Sequence, residues 1–509
     1  MGIKMSSYAL TNTGSKPHIF TSQLKLTIFL PLCAILIFQS ILALSLHNTV
    51  FQDEALYLYA GRQYFTQLTG GPVVLEPYAR YFSGSPFLYP IIAGALDTFG
   101  GAELARLFSL LCMLLTTALI YDFTKRVFNQ TSGLLAASLI AVAGPVLLIS
   151  HFATYDAMCI CLLVVGLTIA NRTGQRHGLL QATGLGTVLS LAVLTKYAGL
   201  LFVPSIYAVY CWRLVQLWGW RKGLLQTLVR GTIAVAVMIG IGLLFLSNSE
   251  VAEGLRTTTT QRVAIFVLPR LELLQRAMVM TGPIIALALV GLIALRHKNF
   301  LLNVILFGTA FLAPAYHIYK MEVVSMNKHM SFSILFAAPL AGYALTRLAR
   351  LDESTQPRLR WSVILAIVLA LFSFGFTQAQ GFFTEWPNAS NLITFLTTQV
   401  RPDGHILAED SEVPRYYLQN VVGFWQWNNL YAFSYTDAKG NQLSGEAAYK
   451  AGIHEGYWDL IIFNYGASAA MAHAIDSELR DGTNYTLVTK IPFNSYFGSG
   501  EYWVWHKKG

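Results

Sequence analysis

Long apolar runs recur along most of this chain, and they limit its fold more than any other feature of the sequence. The first, over 26–46, is long enough to cross a hydrocarbon core of about 30 Å as a single helix. Further runs lie near 103–124, 133–151, 156–171, 179–195, 199–213, 231–248, 281–296, 300–317, 330–348 and 361–378. Together they predict about eleven transmembrane helices. The composition agrees, with 54% hydrophobic and only 12% charged residues. A soluble domain carries roughly twice that share of charge.

The net charge of +9 does not form a nucleic-acid-binding stripe. The basic residues fall in short clusters between the apolar runs: Lys125-Arg126, Arg172 with Arg176, Arg213 to Arg230, Arg296 with Lys298, and Arg347 to Arg360. Connections on the other side, around Thr154 and Lys196, carry few. Cytoplasmic loops are the ones enriched in Lys and Arg, so the N-terminus is expected in the cytoplasm of a plasma-membrane protein. An odd number of spans then puts the C-terminal region outside. Residues 1–379 read as a transmembrane module and 380–509 as an extracytoplasmic domain. In that domain 405–408, 459–463, 485–492 and 502–505 read as strands and 467–479 as a helix, a small α/β unit. All five cysteines lie in apolar segments, and no disulfide framework is implied.

Candidate chemistry concentrates at the outer ends of the spans. The loop over 47–102 is too long for a simple connector and is rich in tyrosine, with interfacial helices expected over 53–68 and 86–99. It opens on Asp53-Glu54. An acidic residue directly after a span suits a helix cap and the helix dipole. The setting also suits a site, and adjacent residues on a helix point about 100° apart, so the two carboxylates cannot share one role. Asp156 follows in a very short outer turn, where an unpaired charge at the membrane edge is costly. Lys196 stands against the positive-inside trend; it either snorkels or offers a point charge to a phosphate. Arg262 and Arg270 in the loop over 249–280, and Lys328 and His329 before the span near 330–348, add outward basic groups. These fit lipid headgroups or a polyprenyl phosphate. Phosphate-binding glycine loops, His-Glu-x-x-His and Gly-x-Ser-x-Gly are absent, which removes the motifs of ATPases, zinc proteases and serine hydrolases.

Several short motifs, in order, resemble the GT-C membrane glycosyltransferases, in the protein-mannosyltransferase and aminoarabinose-transferase-like branch. They are Asp53-Glu54 after the first span, Ser85-Pro-Phe-Leu-Tyr-Pro90, Phe99-Gly-Gly-Ala-Glu-Leu-Ala-Arg106-Leu-Phe-Ser, the turn at Asp156, Leu194-Thr-Lys196, and Lys328-His329. The resemblance covers most of residues 20–350. It implies a GT-C-like polytopic α-helical protein that moves a sugar from a polyprenyl-phosphate donor to an acceptor hydroxyl on protein, lipid or glycan. Asp53 would be the general base of an inverting displacement, with Asp156 shaping the site and Glu54 beside it. Lys196, Lys328 and His329 would hold the donor phosphate, with Arg262 and Arg270 in support. No cofactor is required beyond that lipid-linked donor; a divalent cation on Asp53, Glu54 and Asp156 is the metal-dependent variant. The rival reading is a transporter or lipid flippase with an outer binding domain.

Overall fold

A computed structural model describes residues 19–261, 266–295, 299–349 and 357–508, with side chains from residue 30 onward and, in the last helix of the bundle, from residue 361. The helical part runs α1 Ile19–Leu44, α2 Gln52–Leu68, α3 Tyr89–Val127, α4 Gln130–Val142, α5 Gly144–Ser150, α6 Tyr155–Arg172, α7 Gly178–Thr195 and α8 Val203–Trp218. It continues with α9 Trp220–Leu246, α10 Ser249–Thr258, α11 Arg270–Ala294, α12 Phe300–Thr309, α13 Leu312–Lys320, α14 Met326–Leu348 and α15 Pro357–Phe383. Among the described residues nine helices are long and apolar enough to cross a membrane, or ten if α4 and α5, bent by 70° at their junction, are counted as one broken span. The chain is a multi-pass membrane protein. The first apolar run belongs to α1, of which Leu30–Leu44 forms a shorter apolar helix among the residues with described side chains.

Three expectations about the helices change in detail. The run near 133–151 is broken, because Ala143 leaves the helical region and Pro145 follows it in the first turn of α5. The interfacial helix expected over 86–99 and the span near 103–124 form one long element. Gly100 and Gly101 interrupt it, Gly101 with φ +69°, a conformation glycine adopts without a Cβ penalty. Finally, α11 begins at Arg270, so the loop expected over 249–280 already contains the start of a span.

After α15 come α16 Ser390–Leu396, β1 Ile406–Ala408, α17 Glu412–Tyr417, β2 Trp427–Asn428, β3 Ser434–Thr436, β4 Gln442–Ser444, α18 Glu446–His454, β5 Leu460–Phe463, α19 Ala469–Arg480, β6 Tyr485–Ser495 and β7 Gly498–Lys507. Five strands form one sheet in the order β2-β1-β5-β7-β6, and β3-β4 is a separate hairpin. Strand β1 lies parallel to β2 and β5, while β7 is antiparallel to β5 and β6. All four residues of β5 are buried, as expected for a central strand covered on both faces.

Helix α2 lies directly against the first part of α3. Gly61 and Gly94 meet where they cross, and a Cβ on Gly61 would overlap the Pro90 carbonyl. This close approach fixes α2, and with it Asp53, against the first part of α3. Gly61→Val is expected to force the helices apart and destabilise the protein by about 3 kcal/mol or more, on the scale of overpacked cores. A melting temperature equal to that of the wild type would show that the crossing has slack.

Candidate active site

Four charged side chains from four parts of the chain meet beside the start of α2. Asp53, in its first turn, accepts a 2.5 Å bond from the Lys328 ammonium in the first turn of α14. Asp156, in the first turn of α6, accepts a 2.5 Å bond from Lys196 and a 3.1 Å bond from the Thr154 hydroxyl. Asp156 and Lys196 are almost wholly buried, with side-chain exposures of 0% and 3%, whereas the Asp53 side chain is 34% exposed. A buried ion of this kind is tolerated only when paired and hydrogen-bonded. Lys196 therefore does not snorkel. Tyr155 lies beneath its ammonium at 5.0 Å, and Phe152 lies 5.5 Å from that of Lys328. Tyr57 packs on Tyr155 at 4.7 Å, and its phenol is pushed well up, first by burial and then by Asp53, so it stays protonated.

Local backbone places Lys196. The turn at 83–85 runs against the end of α7, with Ser85 N–H donating to the Leu194 carbonyl and Tyr197 N–H to that of Ser83. A Cβ on Gly84 would overlap the Thr195 carbonyl. The strand-like Lys196 then turns its side chain inward to Asp156.

Glu54 takes a different position from its neighbour. Its carboxylate is fully buried and accepts from the backbone N–H of Phe51 at 2.9 Å and of Ala153 at 2.8 Å. Arg106 completes the set with two bonds of 2.9 Å. Glu54 thus caps α2 and pairs with Arg106, and it does not converge with Asp53 and Asp156. Among the described residues no three His, Cys, Asp or Glu side chains are placed to hold a metal ion. His329 joins a histidine pair. The His317 Nδ1 lies 2.6 Å from the Glu322 carbonyl and must donate to it, so its Nε2, 2.8 Å from His329 Nδ1, accepts when the ring is neutral. Arg270 is exposed at the start of α11 and takes no part in the Asp–Lys network, and Arg262 lies outside the described residues.

Residues 25–248 match the family model described as dolichyl-phosphate-mannose-protein mannosyltransferase. No curated protein sequence matches this chain. Among solved structures, it is similar to ArnT from Cupriavidus metallidurans in the apo state, at 13% identity and a TM-score of 0.61, covering 95% of this chain and 98% of ArnT. ArnT bound to undecaprenyl phosphate matches at 14% identity and a TM-score of 0.61, over 94% and 97% of the two chains. The archaeal oligosaccharyltransferase AglB from Archaeoglobus fulgidus, in complex with an inhibitory peptide and a dolichol-phosphate, matches at 13% identity and 0.56, over 95% and 74%. This chain has the GT-C fold. The resemblance carried by the short motifs therefore stands alongside a family match to the first half of the bundle and a GT-C likeness along almost the whole chain.

Within this GT-C bundle, sequence reasoning missed several residues. Arg106 sat inside a quoted motif without a role; a lone arginine in an apolar run was the available signal. Asp97 was not singled out, yet it is buried and paired with Arg62, and it accepts a 2.6 Å bond from the Tyr416 hydroxyl. Tyr416 lies on α17, which docks on α2. There Arg415 lies 4.9 Å from the Tyr59 ring and 4.6 Å from that of Phe424, with Glu76 at 4.0 Å.

Two outcomes follow from these buried charges. Arg106→Ala leaves Glu54 buried without its counter-ion and should cost about 3–5 kcal/mol, read as lost thermal stability in detergent. Retention of wild-type melting would mean that Glu54 is relieved by water or a proton. The second concerns Glu76, whose carboxyl is pushed up to about 7 by burial, against the opposing pull of Arg415. The folded protein then holds a proton that the unfolded chain releases near its ordinary value of 4.5. Stability should consequently fall as pH rises from about 4.5 to about 7. Glu76→Gln should flatten that slope, and a melting profile parallel to the wild type would remove Glu76 as its source.

Proposed function

We propose that this protein is a polyprenyl-phosphate-sugar-dependent glycosyltransferase acting at the outer face of the plasma membrane. The observation that carries this reading is the Asp53–Lys328 pair beside the Asp156–Lys196 pair. It joins a partly exposed carboxylate and two ammonium groups at one end of a GT-C bundle. The family match and the lipid-phosphate complexes of ArnT and AglB support the donor class.

In this reading Asp53 is the general base. It takes the proton of the acceptor hydroxyl as that oxygen attacks the anomeric carbon from the side opposite the phosphate. The new carbon–oxygen bond forms as the bond to the phosphate oxygen breaks, and its electron pair leaves with the lipid phosphate, inverting the anomeric centre. Lys328 is the nearest cation for the departing charge, and cations held in a low-dielectric site stabilise such charge strongly. Lys196 is committed to Asp156, so this pair shapes the site and holds α6 and the end of α7 in register. Lys328 has a double duty. Without donor it neutralises Asp53; with donor, the phosphate competes for the ammonium and releases the carboxylate to act as a base. Residues 1–379 would then form the catalytic module and 380–509 an extracytoplasmic domain that closes over it.

The test pairs two variants in a reconstituted assay with a polyprenyl-phosphate sugar. Asp53→Asn should keep donor binding while lowering kcat by about 10²–10⁴-fold. Lys328→Ala should raise the donor KM as well as lower kcat. Near-normal turnover by Asp53→Asn would refute Asp53 as the base, and unchanged donor kinetics in Lys328→Ala would remove it from the phosphate site.

A further inference from the structure

The end of the bundle opposite Asp53 carries a second polar site. Helix α6 holds Asp156 in its first turn and Arg172 in its last, so roughly 24 Å of helix rise separates them. Helices α3 and α8 also end there, and they contribute Arg126 and Arg213. Between these helix ends lies a cavity of about 630 Å³, lined among others by Arg126, Asn171, Arg172, Trp212, Arg213 and Asn299.

The charges in this cavity do not balance internally. Asp122 is ion-paired with both Arg126 and Arg172, through the same carboxylate oxygen. Among the described residues, one carboxylate against three guanidiniums leaves positive charge in excess. Arg213 carries that excess most plainly, because among the described residues its buried Nε has no hydrogen-bond partner. A buried donor left unmet costs about 1–3 kcal/mol, so the arrangement favours an acceptor that reaches it. The volume lies in the range of small-molecule sites, well above the space one water takes. Trp212, buried within α8, forms part of the cavity's apolar wall.

We infer that this cavity binds a phosphate-bearing anion at the membrane surface opposite the Asp–Lys site. The guanidiniums of Arg126, Arg172 and Arg213 face the phosphate, and Asn171 and Asn299 meet its polar substituent. Guanidinium is the side chain suited to paired bonds with phosphate oxygens. At the level of lipid headgroups an anionic phospholipid supplies this chemistry, and a soluble phosphate ester is the other source. The inference is independent of the proposed transfer reaction, since no residue of the cavity belongs to the Asp–Lys network.

The test uses the full chain in detergent, with native mass spectrometry as the readout. Short-chain phosphatidylglycerol, short-chain phosphatidylcholine and glycerol 3-phosphate serve as separate probes. The wild type should retain phosphatidylglycerol over phosphatidylcholine, and Arg213→Gln should reduce that retention about fivefold, the effect of one positive charge near a headgroup. Asn299→Asp is the second variant. Position 299 has φ +52°, which Asp tolerates, and the change adds a negative charge without removing an arginine. It should reduce phosphatidylglycerol retention in the same way and keeps the test usable if Arg213→Gln does not fold. Arg213-dependent binding of glycerol 3-phosphate with no preference between the lipids would assign the site to a soluble phosphate ester. Equal retention of the two lipids, no binding of glycerol 3-phosphate and no effect of either variant would overturn the inference.

Discussion

The buried pair of Glu54 and Arg106 is the constraint on which the rest of the site depends. Two ions taken out of water must recover several kcal/mol each through close, complete pairing. Here the pairing is complete because four segments contribute. Glu54 collects the N–H groups of Phe51 and Ala153, and Arg106 also donates to the Asn48 carbonyl and to Glu103. The Arg106 guanidinium further lies 5.3 Å from the Phe383 ring at the end of α15. The start of α2, the middle of α3, the turn before α6 and the last helix of the bundle are therefore locked to one point. Displacing any of them would strand a charge.

That lock explains the division of labour between neighbours. Residues 53 and 54 stand about 100° apart on α2. With Glu54 held inward, Asp53 is turned toward α14 and remains partly open to solvent. In the proposed transfer a carboxylate that takes the acceptor proton must be reachable and well positioned, and its rigid neighbour supplies the positioning. Asp156 and Lys196 repeat the arrangement in a drier setting. Their mutual bond and the Thr154 hydroxyl leave them no exposed face, which suits a supporting pair better than an acid or base.

Much of this was legible in the sequence, and the limits have physical causes. Apolar run length reports bilayer thickness directly, so the helices over 155–172, 178–195 and 326–348 fall close to their expected spans. The acidic pair and the tyrosine-rich loop lie where the Asp–Lys network forms. Their partners were not readable, because a helical pattern specifies which face a residue occupies and not which distant helix faces it. Lys328 lies 275 positions from Asp53, and no local spacing predicts that bond. His329 shows the same limit: adjacency to Lys328 suggested a shared phosphate role, yet one step along α14 turns it toward His317. Arg106 was read as part of a motif, while its function as a counter-ion depends on three segments that meet only in the fold.

The sheet-bearing region beyond α15 follows from the same argument. Strands such as β5 were visible as apolar runs, but the short helix α17 between two strands had no signal of its own. In the structure α17 reaches α2 through polar ends. Glu412 accepts from Gln52 at 3.4 Å, the Tyr417 hydroxyl accepts from the Val50 N–H at 3.0 Å, and Tyr416 bonds Asp97. Gln52 and Val50 flank the Glu54 cap, and Asp97 lies on the helix that α2 crosses at Gly61. The region therefore braces α2 on one side while Arg106 holds its start on another. Such a brace makes this region part of the rigidity of α2 and of the charged residues at its start.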